Sequence, residues 1–342
     1  MTRPIVIWGA GAIGGTLGAA FLRAGHEVTF VDSVAAHVEA INAAGLRIAG
    51  PIFDDVVRAD ARLPGQVTGL HPLIFLCVKA LHTETAVAAL APHLATDGVV
   101  VSAQNGLNEI AIAQVVGRAR TVGCFVNFGA DYLEPGLVHY SGRGAAVIGE
   151  LDGAVTPRIQ RLHHLLQEFD PKAVLTQNIW GFLWGKLVYG ALLFATALTN
   201  DSIADVLANP AARDVLTRLG QEIGAVAQAE GIVTEAFDGF NPAAFRPGAL
   251  RQAIDRSFDD MVAHNRRSTK THSGIWRDLA IRKRQTEVLA QLGPIVEAAA
   301  RHGLQVPLTA RLIMLIREIE AGQRSLALEN LADLAKGGKS EH

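Results

Sequence analysis

A chain of 342 residues is long enough for two domains with well-buried cores, and 49% hydrophobic with 19% charged residues is a globular composition rather than that of a small stapled scaffold. A formal net charge of -2, from 31 basic and 33 acidic residues, supplies no global attraction to nucleic acid or to an anionic membrane, so neither is expected as a partner. Two cysteines, Cys77 and Cys124, lie in apolar stretches, which suits buried thiols in a reducing compartment better than a disulfide and makes a cytoplasmic location the expectation, with a single bond between them left open.

The first third alternates β-rich and helical runs. "PIVIW" (4–8) reads as a strand, 12–24 as a helix ending near Gly25, "EVTFVD" (27–32) as a strand and "AAHVEAINAAG" (35–45) as a helix. A signal peptide is the rival reading of residues 4–22. The glycines count against it, because they break the apolar run at the spacing of a phosphate turn and a second strand follows without a processing boundary. "PLIFLCVKA" (72–80) reads as a fully buried strand, "HTETAVAALAPHL" (82–94) as a helix and "GVVVSAQNG" (98–106) as another strand, a rhythm that means a doubly wound parallel sheet. "TVGCFV" (121–126), "GLVHYSG" (136–142) and "AAVIGE" (145–150) are expected to extend or close that sheet. From about residue 178 long helical patterns take over, in "IWGFLWGKLVYGALLFATALTN", "RDVLTRLGQEIGAVAQAEG" and "RKRQTEVLAQLGPIVEAAARHG". The expected organisation is a Rossmann-like α/β domain over 1–175 and an all-helical substrate or dimerisation domain over 176–335, parted by the Pro-containing "EFDPKAVLTQN". The apolar run 187–198 is shorter than the about 20 residues a membrane span needs, and the tail "KGGKSEH" is expected to fray.

Gly9, Gly11 and Gly14 stand in the spacing G-x-G-x-x-G, after a strand and opening a helix. Gly9 would make the tight turn, Gly11 would let the backbone approach a pyrophosphate, and Gly14 would let helix and strand pack closely. The pyrophosphate would sit on the helix N-terminus at Ala12 and Ile13, where free N–H groups and the helix dipole favour negative charge. Asp32, ending the next strand, can hydrogen-bond the ribose hydroxyls of NAD and would repel the extra phosphate of NADP, and no arginine follows it. Lys79 and Asn105 close apolar strands and are expected at the carboxyl ends, where such sheets bind ligands. Lys186 lies alone in an apolar helix. Unless it snorkels to water, desolvation lowers its pKa toward neutrality, which suits a proton donor. The basic stretch 264–284 reads mainly as a solvated helix face. His163 and His164 should diverge on their helix, no histidine pair has metal-ligand spacing with acidic or cysteine partners, and no G-x-S-x-G elbow is present, so neither a metal nor a serine hydrolase is expected.

Taken together and in order, "IWGAGAIGG", "CVKA", "QNGLNE", "PGLVHYSG…IGE", "WGKLV" and "SGIWRD…TEV" resemble the ketopantoate reductases (2-dehydropantoate 2-reductases) over roughly residues 4 to 320. The resemblance implies a Rossmann domain joined to a helical domain, and hydride transfer from a reduced nicotinamide, NADP by family default, to a small-molecule 2-keto acid. The apolar face of the helical domain is enough to support a homodimer. The resemblance also implies that Gly9, Gly11 and Gly14 form the phosphate loop, that Lys79 and Asn105 lie near ribose and nicotinamide with Asn105 also reaching substrate, and that Lys186 protonates the forming alkoxide. Ser273 would bind the substrate carboxylate, and Glu287 would support the lysine and substrate. Three departures stand out. Gly190 and Phe194 replace asparagines that commonly follow the lysine by one and two helical turns, the Asp278 to Glu287 spacing is one residue longer than usual, and Asp32 stands where an arginine often follows the second strand. These leave open a bulkier or less polar 2-keto acid, an NAD-dependent dehydrogenase of another 2- or 3-hydroxy acid, and a non-catalytic dinucleotide sensor.

Overall fold

The computed structural model describes residues 4–267 and 271–338. It divides into two compact units, Met1–Ile179 and Trp180–His342.

The first unit begins β1 (Ile5–Trp8), α1 (Ala12–Arg23), β2 (Val28–Val31), α2 (Ala35–Ala44), β3 (Leu46–Ala49), β4 (Asp55–Val57), β5 (Asp60–Arg62) and β6 (His71–Leu76). It continues α3 (Thr83–Leu90), β7 (Leu94–Ser102), α4 (Asn108–Val116), β8 (Thr121–Val126), β9 (Gly129–Glu134), β10 (Leu137–Gly142), β11 (Ala146–Glu150), α5 (Pro157–Phe169) and β12 (Val174–Leu175). Eight strands form one sheet in the order β12-β11-β8-β7-β6-β1-β2-β5. It is parallel from β8 to β5, while β11 runs antiparallel to β8. All four residues of β1 are buried, as expected for a central parallel strand covered on both faces. Ile5 and Ile7 enter a core with α1, α2 and α5, whereas Val6 and Trp8 enter a second core with α3 and α4. The strand order reverses between β1 and β6, and ligands of doubly wound sheets bind outside the strand ends at such a point.

The expectation that residues 136–142 extend the main sheet is corrected. β10 belongs to a separate four-stranded sheet, order β4-β3-β10-β9, pairing parallel with β3 and antiparallel with β9. Its side chains alternate between buried and half-buried, the pattern of a strand covered on one face. Gly15 of α1 permits the small sheet to approach, since a Cβ there would lie 3.2 Å from Val138 and 3.3 Å from Leu46. The adjacent His163 and His164 do not diverge: their rings stack with centroids 6.0 Å apart, and His163 is held by a 2.8 Å hydrogen bond to the Ala173 carbonyl.

The second unit is helical: α6 (Ile179–Thr196), α7 (Ile203–Ala208), α8 (Pro210–Ala229), α9 (Arg251–Arg267), α10 (Gly274–Ala280), α11 (Val288–Arg301), α12 (Pro307–Glu320) and α13 (Glu329–Lys336). Its helix starts are written locally. Ser202 accepts a hydrogen bond from Asp205 N, and Asn209 accepts one from Ala211 N ahead of Pro210. Residues 282–287 were expected to begin a helix, but α11 starts at Val288. Thr286 Oγ1 accepts from Val288 N there, and Lys283 (φ +47°) has left the right-handed region. By length and composition α6 could cross a membrane, yet 67% of it is buried inside the protein, which is the burial of a core helix.

Candidate active site

The glycine loop after β1 has the geometry its spacing asks for. Gly9 has φ +100°, and a Cβ there would lie 2.8 Å from Val78 N, so the loop after β6 leaves room only for hydrogen. At Gly14 a Cβ would come within 1.9 Å of the Gly9 carbonyl and 2.7 Å of Ile7. Gly11 is the opposite case: a Cβ there would meet no described atom within 4 Å, so the backbone faces open space. Gly11, Ala12 and Ile13 are half-buried, and the first turn of α1 carries neither an acidic residue nor a side-chain cap among the described residues. These residues fit a dinucleotide's phosphates. Nothing in the residue pattern hints at how firmly the loop is held. Ala10 N donates to Asp32 Oδ2 at 2.9 Å, and the Ala10 carbonyl lies 2.9 Å from Nε2 of the buried His37. Gly136 N donates to His37 Nδ1 at 2.9 Å, so Nε2 carries the proton and donates it to Ala10. Asp32 Oδ1 also accepts from Val34 N at 3.0 Å, which fixes the carboxylate beside the loop with lone pairs still available.

Lys79 and Asn105 were expected to close their strands, but β6 stops at Leu76 and β7 at Ser102, placing both in the loops just beyond. A buried amide network ties these loops together. Gln104 Nε2 donates to the Val78 carbonyl and to Thr83 Oγ1, both at 2.8 Å. Thr83 Oγ1 donates to Asn108 Oδ1 at 2.9 Å, and Asn108 Nδ2 donates to the Asn105 carbonyl at 2.7 Å. Each group is used in its proper donor or acceptor sense, so the network rigidifies both loops. Nearby, Cys77 and Cys124 are free thiols, and burial pushes Cys124 up to about 12 and Cys77 well up as well, leaving both protonated and unreactive.

In the helical unit, Lys186 is half-buried on α6. Burial pulls its ammonium down to about 8, against the opposing charges of Asp238 and Glu287. Asp238 was not anticipated. It sits with φ +43° in a reversal closed by Phe237 N donating to the Phe240 carbonyl at 3.1 Å and Phe240 N to the Phe237 carbonyl at 2.7 Å. The Asp-Gly pair at 238–239 signals such a turn, but nothing local shows that the turn reaches Lys186. Tyr189 packs its ring against Phe237 and Phe240, with centroids 6.2 and 5.1 Å away, and burial raises its hydroxyl.

Glu287 directly precedes α11, where Thr286 does the capping. The Glu287 carboxylate therefore contributes charge to Lys186 rather than closing a helix end. Ser273 is buried and caps α10, its Oγ accepting from Trp276 N at 3.2 Å. Of the two departures on α6, Phe194 is fully buried in the core, whereas Gly190 is half-buried. A Cβ at Gly190 would meet Gln291 Oε1 at 3.7 Å and no other described atom within 4 Å.

Residues 5–153 match the family described as ketopantoate reductase PanE/ApbA, and residues 178–320 match the C-terminal part of the same family. The chain belongs to the ketopantoate reductase family. It is 28% identical to a 2-dehydropantoate 2-reductase of Archaeoglobus fulgidus, over 93% of this chain and 98% of the relative. Identity is 27% to the enzyme of the same name from Halobacterium salinarum, over 92% and 97%. Among solved structures, a PanE/ApbA family ketopantoate reductase from Ralstonia eutropha superposes with TM-score 0.79 at 29% identity, over 94% of this chain and all of that one. A D-mandelate dehydrogenase with NADH and anilino(oxo)acetate shares the fold at TM-score 0.82 and 21% identity, over 93% and 99%. As a member of the ketopantoate reductase family the chain is a nicotinamide-dinucleotide-dependent oxidoreductase.

Proposed function

We propose that this chain reduces a 2-keto acid to the 2-hydroxy acid with NADH, ketopantoate to pantoate being the family's own reaction, and that Lys186 is its proton donor. The observation that carries this is the Lys186 environment, where burial brings an ammonium to about 8 beside two carboxylates. A group so placed is charged at neutral pH and readily gives up its proton. Gly9, Gly11 and Gly14 would hold the phosphates of a nicotinamide cofactor, which would supply hydride for the keto carbon. As negative charge gathers on the carbonyl oxygen, the Lys186 ammonium stabilises it and then transfers a proton, completing the alcohol and leaving a neutral amine. Glu287 and Asp238 keep that amine charged until the oxygen needs its proton. Ser273 uses its oxygen to cap α10, so its hydroxyl proton is the part directed to the substrate carboxylate. Lys79 and Asn105, on loops locked by the Gln104 network, hold ribose and nicotinamide, with Asn105 also reaching the substrate.

The cofactor preference follows from charge. Asp32 is held beside the glycine loop by two backbone N–H groups, where a carboxylate accepts from ribose hydroxyls and repels a 2′-phosphate. The exposed residues after it, Ser33 and Val34, carry no positive charge. Oxidation of NADH and of NADPH, followed by nicotinamide absorbance across a panel of 2-keto acids with the Lys186→Ala variant as control, tests the proposal. The expected result is turnover with NADH favoured, reduced at least about a hundredfold in Lys186→Ala. NADH binding without turnover of any keto acid overturns it in favour of a sensor.

A further inference from the structure

On the α6 face that carries Lys186, the next turn carries Gly190, because residues four apart lie one above the other on a helix. The same spacing separates Glu287, directly before α11, from Gln291 on it, and Gln291 N donates to the Glu287 carbonyl at 2.9 Å. The two segments therefore present two matched levels, about 6 Å apart along each axis. At one level Lys186 is held charged by Glu287. At the other, Gly190 removes a side chain, and the Gln291 amide lies 3.7 Å from where the missing Cβ would stand. No other described atom lies within 4 Å of that point, and both residues are half-buried. The result is a small gap, one turn from the proton donor, with a neutral amide at its edge.

We propose that Gln291 is a specificity-determining residue, whose amide hydrogen-bonds a hydroxyl on the substrate chain beyond the keto carbon while the Gly190 gap holds that chain. The inference rests on the proposed keto-acid reduction and deepens it. A neutral amide can donate to a hydroxyl oxygen and accept its proton, whereas it gives a hydrocarbon nothing. Closing a hydrocarbon over the amide leaves a polar group without water or partner, and a site built this way rejects the analogue lacking the hydroxyl more strongly than an apolar pocket rejects an extra one. The site thus selects a 2-keto acid that carries a hydroxyl beyond the keto carbon.

Two acids that differ only in that hydroxyl supply the test: 4-hydroxy-3,3-dimethyl-2-oxobutanoate and 3,3-dimethyl-2-oxobutanoate. Their kcat/KM values with saturating NADH are compared in the unaltered enzyme, in Gln291→Met, which keeps length and helix propensity, and in Gly190→Ala, whose methyl fits at ordinary contact distance. The unaltered enzyme should favour the hydroxy acid by at least about a hundredfold. Gln291→Met should cut that ratio at least about tenfold through loss of the hydroxy acid alone. Gly190→Ala should raise KM for both acids with little change in kcat. An unchanged ratio in Gln291→Met, equal loss on both acids, or no discrimination by the unaltered enzyme overturns the role of Gln291 and leaves the reductase reading standing. No turnover of any keto acid removes both. Thermal unfolding of each variant separates a specificity effect from a folding defect.

Discussion

Lys186 is pulled down by burial and held up by Asp238 and Glu287, and these opposing effects leave it at about 8. A proton donor with that pKa works below it, so kcat/KM should be level near neutrality and fall about tenfold per pH unit on the alkaline side. Removing a negative neighbour withdraws support for the charged form. Asp238→Asn, which keeps the shape of the turn and is at home at positive φ, should therefore move the alkaline limb to lower pH by about half a unit to one unit. An alkaline limb that stays put, or moves up, would show that Asp238 does not govern the lysine. The sequence made the lysine legible because one charge in an apolar helix costs free energy without a reason. It did not reveal Asp238, which reaches Lys186 through the path of the intervening helices.

At the scale of elements, the glycine loop is a turn gripped from both sides. Asp32, directly after β2, holds the Ala10 N–H, and His37 on α2 holds the Ala10 carbonyl while accepting from Gly136 in the turn between β9 and β10. The small sheet is thereby connected to the phosphate loop. His37→Ala strips a partner from two backbone groups, at about 1–3 kcal/mol for each one left buried and unbonded. A loosened loop should raise the Kd for NADH, read by fluorescence titration, by about tenfold while KM for the keto acid stays within about twofold. Equal change in both constants would mean that His37 serves the fold at large and not the loop. The main sheet and the loop were legible because buried parallel strands and G-x-G-x-x-G are local signals. The small sheet was not: β3, β4, β9 and β10 are short, half-covered strands, and the β3–β10 pairing that joins their two neighbouring pairs brings together residues about 90 apart in sequence. Ends of elements were misplaced for a related reason. Lys79 and Asn105 follow their strands without a break in pattern, and the Gln104 network that bends the chain there depends on residues from three segments.

For the whole molecule, two buried ionisable groups should shape stability against pH in opposite directions and in separate windows. Glu109, fully buried on α4 with neither carboxyl oxygen hydrogen-bonded among the described residues, is raised from 4.5 to about 7, chiefly by burial. The fold therefore favours its protonated form. Its contribution is complete below about 4.5 and is lost as pH rises through about 7, a change of about 3 kcal/mol at 1.36 kcal/mol per pH unit. Lys186 falls from 10.5 to about 8, so the fold favours its neutral form and gains stability as pH rises from about 8 toward 10.5. Neither thiol opposes this through neutrality, because Cys77 and Cys124 are both pushed up and remain protonated. Thermal unfolding from pH 5 to 10 should thus show Tm falling through neutrality and levelling or recovering above 8. At about 2–4 °C per kcal/mol for a unit of this size, the Glu109 part of the fall is about 6–12 °C. Glu109→Gln replaces the titrating group with a neutral one of the same shape and should remove most of the fall while leaving the alkaline limb unchanged, whereas Lys186→Met should flatten only the alkaline limb. If Glu109→Gln reproduces the parent curve, the carboxyl is hydrated in solution and ionises at its ordinary pH, and the decline belongs to other groups.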